Sequence, residues 1–297
     1  MGNRMQPLLS RRSVLGLFGA AAMSSDLFAL QAEHLTLRTA DDRDSSVTVW
    51  RARGTHRGTI LFSHGAMSAP TQYDGLILPW VIAGYDVWAP LHVDSSLHPD
   101  TKRYQGFATW RARIEDMRAL AKQVRVRQYV AAGHSYGALV ALTLGGATAV
   151  SPEGVEGSLR DPRVKASMAF SPPQPIPKLI DAAGYATLAV PALIQTGDHD
   201  VPPGSTAEES WRQHLVAYDA SAAGGHRYSL VLAGVDHYFG GLICSQDYPG
   251  ADQSAQLRTA AELSTLFLDA YAAGKRSRRR ALDQRLSDTG PTQLRVK

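Results

Sequence analysis

Three short polar segments each follow a run of apolar residues, and together they hold the residue types of an acyl-transfer site. They read GHSYG at 133–137, GDHD at 197–200 and VDHY at 235–238. A serine hydroxyl is a weak nucleophile until a histidine takes its proton, and that histidine needs a carboxylate to orient it. The segments therefore predict a nucleophile at Ser135, a base at His237, and an orienting acid at Asp198 or Asp200.

The residues around Ser135 predict a sharp turn between a strand and a helix. YVAA precedes the GHSYG motif as a strand, and ALVALTLGGA follows it as a helix rich in small residues. A serine in such a turn has a strained backbone, and Gly133 and Gly137 remove side chains that would collide with neighbouring backbone. Ser135 would then lie at a helix N-terminus, whose free N–H groups favour developing negative charge.

Strand and helix patterns alternate along the body of the chain. Continuous apolar runs lie at 59–65, 86–92, 129–135, 165–171, 192–198 and 228–234, after an opening hairpin of 34–39 and 47–53. Helical patterns lie at 73–83, 107–123, 136–148, 205–218 and 255–272. Continuous apolar runs are typical of strands buried on both faces of a parallel sheet. The pattern predicts an α/β protein whose mostly parallel central sheet is flanked by helices.

Two segments carry more specific expectations. The helix at 107–123 places Trp110, Ile114, Met117 and Leu120 on one stripe, with charges predicted on the opposite face. The stretch between the runs ending at 171 and starting at 192 is short and proline-rich, so we expect a rigid loop and little or no lid.

The chain order of serine, acid and histidine, each after a strand, resembles that of the α/β-hydrolase superfamily. The acid of this superfamily sits in a G-x-x-D-x-x-V/P setting, which matches Asp200 rather than Asp198. Its histidine sits in a short loop containing H-x-F/Y, which matches His237 and Phe239. The resemblance covers residues 35–272.

The resemblance implies a serine hydrolase that cleaves carboxylic esters through an acyl-enzyme, as carboxylesterases, acetylhydrolases and dienelactone-hydrolase-like enzymes do. It implies an oxyanion hole made by the N–H groups of Tyr136 and Ala66, with Met67 as the alternative to Ala66. His64 is expected to shape this loop rather than act as a base. Two alternatives stay open: a peptidase or amidase with the same triad, and a non-catalytic ligand-binding protein on the same fold.

No cofactor is expected, because the chain has neither a GxGxxG motif nor a phosphate loop. The segment 92–98 holds two histidines and an aspartate, but their spacing matches no known metal-ligand pattern, so we predict a pocket or solvent loop there and no metal site. The single cysteine, Cys244, excludes an internal disulfide and is expected to be a small buried hydrophobe.

The net charge of +4 is concentrated at the ends of the chain. Residues 275–297 carry eight Lys/Arg and two Asp, residues 1–32 carry three Arg and one Asp, and the body between them is acidic. An acidic body gives no reason to expect a nucleic-acid partner, so the expected partner is a small-molecule or polymer ester substrate. The basic segment 275–297 is predicted to be a disordered tail after a hydrolase domain of 33–274.

The first residues match a targeting pattern. The segment 10–23, SRRSVLGLFGAAAM, has a paired arginine, a modest apolar run and small residues, and so predicts a twin-arginine signal peptide over 1–32. Its apolar run is too short to span a bilayer, which needs about 20 residues. With no cysteine near its end, we expect no lipid anchor and export to the periplasm or the medium.

Overall fold

The structure, a computed structural model, describes residues 32–201 and 210–297. The predicted twin-arginine segment and the first residues of the predicted helix 205–218 lie outside these ranges. Within the described ranges, no helix combines the length and the apolar character that crossing a membrane requires.

Nine strands in the described ranges form one sheet in the order β1-β2-β4-β3-β5-β6-β7-β8-β9. The strands are β1 (Glu33–Arg38), β2 (Asp44–Trp50), β3 (Gly58–Ser63), β4 (Tyr85–Pro90), β5 (Tyr129–His134), β6 (Val164–Phe170), β7 (Ala192–Gly197), β8 (Arg227–Leu232) and β9 (Thr292–Val296). Pairing is parallel from β4 through β3 to β8 and antiparallel for β1–β2, β2–β4 and β8–β9. The predicted mostly parallel α/β sheet and its opening hairpin are confirmed.

The continuous apolar runs are buried strands, as their composition predicts. Every residue of β5, β7 and β8 is buried, because helices cover both faces of the parallel region. The helices are α1 (Asp74–Ile82), α2 (Phe107–Val124), α3 (Tyr136–Leu144), α4 (Ala182–Ala186), α5 (Val216–Ala220), α6 (Ser254–Tyr271) and α7 (Arg276–Asp283). Between β6 and β7 the chain forms only the five-residue α4, in keeping with the expected absence of a lid there.

Helix α2 departs from the predicted amphipathic pattern. Its apolar stripe is buried as expected, but Arg113 and Asp116 are also fully buried. The prediction that the charges of this helix lie on the opposite, outer face was therefore wrong for Glu115, which is 7% exposed, and for Arg113 and Asp116. Buried charges need partners, and Arg113 and Asp116 find them among the residues at the ends of β3 and β4.

Helix α3 packs unusually close to the sheet, and two glycines make this possible. A Cβ atom on Gly137 would overlap the carbonyl oxygen of Ser63, and one on Gly133 would overlap the carbonyl oxygen of Gly137. Any larger residue would push α3 away from β3 and β5. The two glycines of the GHSYG motif therefore fix the distance between the helix that follows Ser135 and the strands beneath it.

The prediction that residues 275–297 form a disordered tail was wrong. They form α7 and β9, and β9 pairs antiparallel with β8 from Thr292 to Val296. Leu282 of α7 and Leu294 of β9 are fully buried, while the basic side chains lie mostly on the exposed side. One apolar anchor in each element, together with the backbone hydrogen bonds to β8, orders a segment whose charge run suggested disorder. The compact unit extends from Ala32 to Lys297.

Candidate active site

Ser135 occupies a strained turn between β5 and α3. Its φ and ψ are 53° and −122°, a region that residues other than glycine rarely adopt. The turn is held by a hydrogen bond from the Ser135 N–H to the Phe170 carbonyl (2.8 Å), and by the Ala138 N–H donating to the Ser135 carbonyl (2.9 Å). This strand–turn–helix geometry is the one that the sequence around Ser135 predicts.

Asp200 and His237, which follow β7 and β8, lie together. His237 Nδ1 is 2.7 Å from Asp200 Oδ1, and the Thr196 hydroxyl donates to Asp200 Oδ2 at 2.9 Å. Burial raises the pKa of the Asp200 carboxyl, but His237 and His214 outweigh it and hold that pKa well below its usual range. Asp200 is thus a buried, ionised carboxylate that can orient His237.

The two rival aspartates have local roles instead. Asp198 accepts a hydrogen bond from the Gly234 N–H at 2.6 Å. Asp236 accepts from the N–H groups of Tyr238 (2.9 Å) and Gly240 (3.0 Å). Both carboxylates shape the loop that carries the histidine, and Asp200 is the acid that contacts it.

His134, the residue before Ser135, connects the turn to the histidine loop. Its Nε2–H donates to the His237 carbonyl at 2.9 Å, and the two rings lie 4.7 Å apart between centroids. Its Nδ1 accepts from the Tyr73 hydroxyl (3.0 Å), which itself accepts from the Gly65 N–H (2.9 Å). Burial and the neighbouring His237 lower the pKa of His134 well below its usual range, which keeps the ring neutral as this pattern requires.

The contact with the His237 loop is thus made by His134, the neighbour of Ser135 in the chain, and the Ser135 hydroxyl takes part in none of the hydrogen bonds between the described residues. His237 uses Nδ1 for Asp200, which leaves Nε2 to face a substrate or the serine. Such contacts are often long or absent without a bound substrate and tighten when one binds.

The loop after β3 supplies the second predicted oxyanion donor. Met67 donates its N–H to the Asp94 carbonyl (3.2 Å), so this group is occupied. The N–H groups of Ala66 and Tyr136, by contrast, donate to no acceptor within the described ranges. Ala66 is exposed, and Tyr136 is the first residue of α3. This geometry favours Ala66 over Met67 as the partner of Tyr136.

Arg113, which the sequence analysis did not single out, binds the loop after β3 from the buried side. It is fully buried and pairs with Asp94 at 3.0 Å. It donates to the carbonyl oxygens of His64 (2.7 Å) and Gly65 (3.2 Å). Its guanidinium carbon also lies 4.8 Å from the ring centroid of Tyr136. One side chain thus contacts both segments that carry the predicted oxyanion donors.

A second serine–histidine–aspartate arrangement lies beneath the same loop. His92 Nε2 is 2.8 Å from Ser63 Oγ, and His92 Nδ1 is 2.8 Å from Asp116 Oδ2. Burial, together with the nearby Arg113, lowers the pKa of His92 well below its usual range, so His92 is neutral. His64 Nε2 accepts a hydrogen bond from the backbone N–H of His92 (2.9 Å), and His64 Nδ1 lies 2.7 Å from the Gly65 carbonyl oxygen. These contacts give His64 the loop-shaping role expected of it.

His214 was also missed by the sequence analysis. It is buried in a 3-10 helix, Ser210–Leu215, and its Nε2 lies 3.0 Å from Asp200 Oδ1. The contact is close, but it is not aligned as a straight hydrogen bond, so we treat it as an ion pair. No motif surrounds His214 in the sequence, and its proximity to Asp200 arises only in the folded chain.

Asp200, His214 and His237 could each offer one ligand atom to a metal ion. Their nitrogen–oxygen separations of 2.7 and 3.0 Å are hydrogen-bond and ion-pair distances. Hydrogen bonding and charge pairing account for the arrangement.

Comparison with known proteins supports the fold. No family model matches the sequence, and no curated protein matches it. Thermogutta terrifontis esterase 2 matches the structure with a TM-score of 0.58 and 16% identity, over 80% of this chain and 93% of the esterase. An alpha-beta serine hydrolase homologue from Coxiella burnetii matches with a TM-score of 0.52 and 17% identity, over 77% of this chain and 95% of the homologue.

A third solved structure is a peptidase. Pyrococcus horikoshii acylaminoacyl peptidase matches with a TM-score of 0.59 and 12% identity, over 82% of this chain and 42% of the peptidase. The chain therefore has the α/β-hydrolase fold. Identities this low establish the fold and leave the reaction to be argued from the site.

Proposed function

We propose that this chain is a serine hydrolase that cleaves carboxylic esters through an acyl-enzyme. The observation that carries the proposal is the Asp200–His237 contact of 2.7 Å, in a loop that is hydrogen-bonded to His134, the neighbour of Ser135 in its strained turn. A histidine that a carboxylate orients, within reach of a serine, is what activates the serine hydroxyl.

In the first half of the proposed reaction, Ser135 Oγ attacks the ester carbonyl carbon while His237 Nε2 takes the hydroxyl proton. Asp200 stabilises the imidazolium that forms. The carbonyl oxygen becomes an oxyanion, which the N–H groups of Ala66 and Tyr136 bind at the N-terminus of α3. His237 then returns the proton to the leaving alkoxide, and the alcohol departs from the acyl-enzyme.

In the second half, water replaces the alcohol. His237 takes a proton from the water as its oxygen attacks the acyl carbon, and the same two N–H groups bind the second oxyanion. The bond to Ser135 Oγ breaks, His237 protonates that oxygen, and the carboxylic acid leaves. The enzyme returns to its starting state with one water consumed.

The same proposal includes export by a twin-arginine signal. It rests on the paired arginine and the short apolar run of residues 10–23. A chain without a disulfide suits a route that carries folded proteins. Fusing residues 1–35 to a reporter that is active only after twin-arginine export tests this, with Arg11 and Arg12 replaced by lysine as the control that should stay inside the cell.

The decisive test of the chemistry is labelling with a fluorophosphonate, followed by intact-mass analysis and peptide mapping. We expect one adduct, on Ser135, and no adduct in His237→Ala. His226→Ala, which removes a histidine that contacts Arg279 and Tyr271, should label like the wild type. An adduct on another serine would refute the assignment of Ser135.

A peptidase or amidase with the same triad is the second candidate, favoured by the structural likeness to an acylaminoacyl peptidase. Comparing kcat/KM for a nitrophenyl ester with that for the anilide of the same acid separates the two. A ratio close to one would favour the amidase. If a well-folded protein gives no adduct at all, the chain is a non-catalytic binding protein on this fold.

A further inference from the structure

Among the residues that the structure describes, His214 has two close polar neighbours, and both are acceptors. Its Nδ1 lies 2.7 Å from the carbonyl oxygen of Pro172, in the loop after β6. Its Nε2 lies 3.0 Å from Asp200 Oδ1, the same oxygen that His237 Nδ1 contacts at 2.7 Å. The side chain of His214 is only 1% exposed, so water does not compete for either nitrogen.

The number of protons on His214 follows from these neighbours. A carbonyl oxygen and an ionised carboxylate offer only lone pairs, and a neutral imidazole carries a single N–H. A neutral ring that donates Nδ1–H to Pro172 would therefore leave the lone pair of Nε2 only 3.0 Å from an ionised carboxylate in a buried site. A ring with both nitrogens protonated satisfies Pro172 and pairs with Asp200. In keeping with this, burial lowers the pKa of His214, but the contacts with Asp200 and Pro172 outweigh burial and raise it above its ordinary value.

We propose that His214 is a positioning residue of the active site, a cationic second partner of Asp200 that opposes protonation of His237. The role in catalysis rests on the proposed hydrolase function, whereas the charge of His214 follows from its neighbours alone. One carboxylate thus serves two histidines, of which His214 is fixed in its charged form and His237 cycles between its two forms.

The consequence for the base is electrostatic. In a simple triad, the histidine faces an unshared carboxylate, which favours its charged form. Here Asp200 is already paired with His214, and the His214 ring centroid lies 5.7 Å from that of His237. A like charge at that distance disfavours a second one. A second positive charge on His237 is therefore less favourable beside His214 than it would be beside an unshared carboxylate.

Among the described residues, the other titratable groups around His237 do not supply the positive charge that His214 supplies. The His134 ring packs against His237 at a tilt of 51° and is neutral. The Tyr238 ring packs edge-on against His237, and burial raises the pKa of its hydroxyl. Asp236 and Asp198 direct their carboxylates at backbone N–H groups of the histidine loop. On the helix of His214 itself, the Arg212 guanidinium lies over the Trp211 ring.

The proposal is tested by the pH profile of kcat/KM for 4-nitrophenyl acetate, measured on the full chain. In His214→Gln we expect the midpoint of the acid limb to move up by about one pH unit, which is the scale of a nearby like charge. Activity below the midpoint should fall about ten-fold while the alkaline plateau changes much less. A merely structural role would lower the plateau and leave the midpoint in place. His226→Gln is the matched control and should keep the wild-type midpoint.

A second measurement needs neither activity nor a folded variant. Long-range ¹H–¹⁵N NMR of the wild-type protein reports how many protons each histidine ring carries. We expect His214 to be doubly protonated at pH 7, which is above the ordinary histidine pKa of about 6.5. A singly protonated His214 at pH 6, or an unmoved acid limb in a folded His214→Gln, would overturn the proposal. If the wild type gives neither turnover nor a fluorophosphonate adduct, the hydrolase proposal fails, and the NMR result still decides the charge of His214.

Discussion

Two sets of serine, histidine and aspartate lie close together in this molecule, one with a half-buried, accessible serine and one fully enclosed. The accessible set is Ser135, His237 and Asp200, and the buried set is Ser63, His92 and Asp116. The buried set has both of its hydrogen bonds formed at 2.8 Å, whereas the accessible set has only the histidine–aspartate contact. By hydrogen-bond geometry alone, the buried set would be judged the better triad.

The environment reverses that judgement. All three members of the buried set are fully enclosed, and Arg113 donates to Ser63 Oγ at 3.2 Å, so no substrate can reach that oxygen. Ser135 is half-buried, sits in a strained turn, and precedes a helix whose first N–H is unpaired within the described ranges. Access, backbone strain and free donors distinguish a candidate nucleophile from a structural hydrogen-bond network.

The carboxylates of the two sets, Asp116 and Asp200, have pKa values that are shifted in opposite directions. Burial raises the pKa of Asp116 to about 6 in spite of Arg43, whose Nη1 lies 3.0 Å from it. That contact is close but not aligned as a hydrogen bond. Asp200, which contacts two histidines and the Thr196 hydroxyl, has its pKa held well below the usual range. The accessible set keeps its acid ionised, and the buried set penalises ionisation.

The largest expected effect comes from exchanging the two serines for alanine. Ser135→Ala should lower kcat/KM by about 10⁴-fold or more, because the members of a triad act as a unit. Ser63→Ala should keep the fluorophosphonate adduct, and should lower the free energy of unfolding by about 1–3 kcal/mol, since it leaves buried partners of Ser63 unpaired. Loss of the adduct in a folded Ser63→Ala would mean that Ser63, and not Ser135, is needed for the reaction with the probe.

The next effect concerns Arg113, which connects the buried set to the loop of the accessible one. Arg113→Met leaves Asp94 buried without its cation, and breaking such a pair costs about 3–5 kcal/mol of unfolding free energy in chemical denaturation. Arg111→Met, an exposed change on the same helix, should stay within about 0.5 kcal/mol of wild type. Equal losses in both variants would show that Arg113 has no special role in holding the loop.

The smallest effect is a pair of opposite pH dependences. For Asp116, the raised pKa adds stability that is present below pH 4 and is lost as the pH rises through 6. The wild type should therefore lose about 3 kcal/mol relative to Asp116→Asn between pH 3 and pH 7. For Asp200, the lowered pKa adds stability that is present above pH 4 and is lost as the pH falls.

The wild type should accordingly lose its advantage over Asp200→Asn in acid, while it gains stability relative to Asp116→Asn. Urea unfolding at several pH values between 3 and 7 measures both differences. If the two differences have the same sign of pH dependence, the contrast between the two carboxylates is wrong.

The sequence predicted what is local or ordered along the chain. Apolar runs predicted the parallel strands, and the glycines around Ser135 predicted its turn. The order of the motifs pointed to an acid at Asp198 or Asp200 and a base at His237, and the G-x-x-D-x-x-V/P setting selected Asp200, which the fold brings into contact with His237. Each of these rests on patterns within about ten residues, or on a chain order that the fold enforces.

The features that the sequence did not predict depend on contacts between segments that are distant along the chain. Asp116 and Arg113 follow the helical period of charged surface residues, and only the ends of β3 and β4 make their burial possible. His214 is fourteen residues beyond Asp200 and has no motif of its own. In the segment 275–297, one buried leucine in each element, Leu282 and Leu294, anchors the chain. The run of basic residues predicts disorder instead, because two leucines are a weak signal beside eight positive charges.

The last strand, β9, also bears on how the molecule behaves among copies of itself. Without it, the fully buried β8 would end the sheet with a row of unpaired N–H and C=O groups, which is a template for another chain. β9 instead places Arg295, paired with Asp288 and half-exposed, on the outermost strand. Charged side chains on an edge discourage further strand addition. The segment that resembled a loose basic tail therefore protects the sheet from edge-to-edge aggregation.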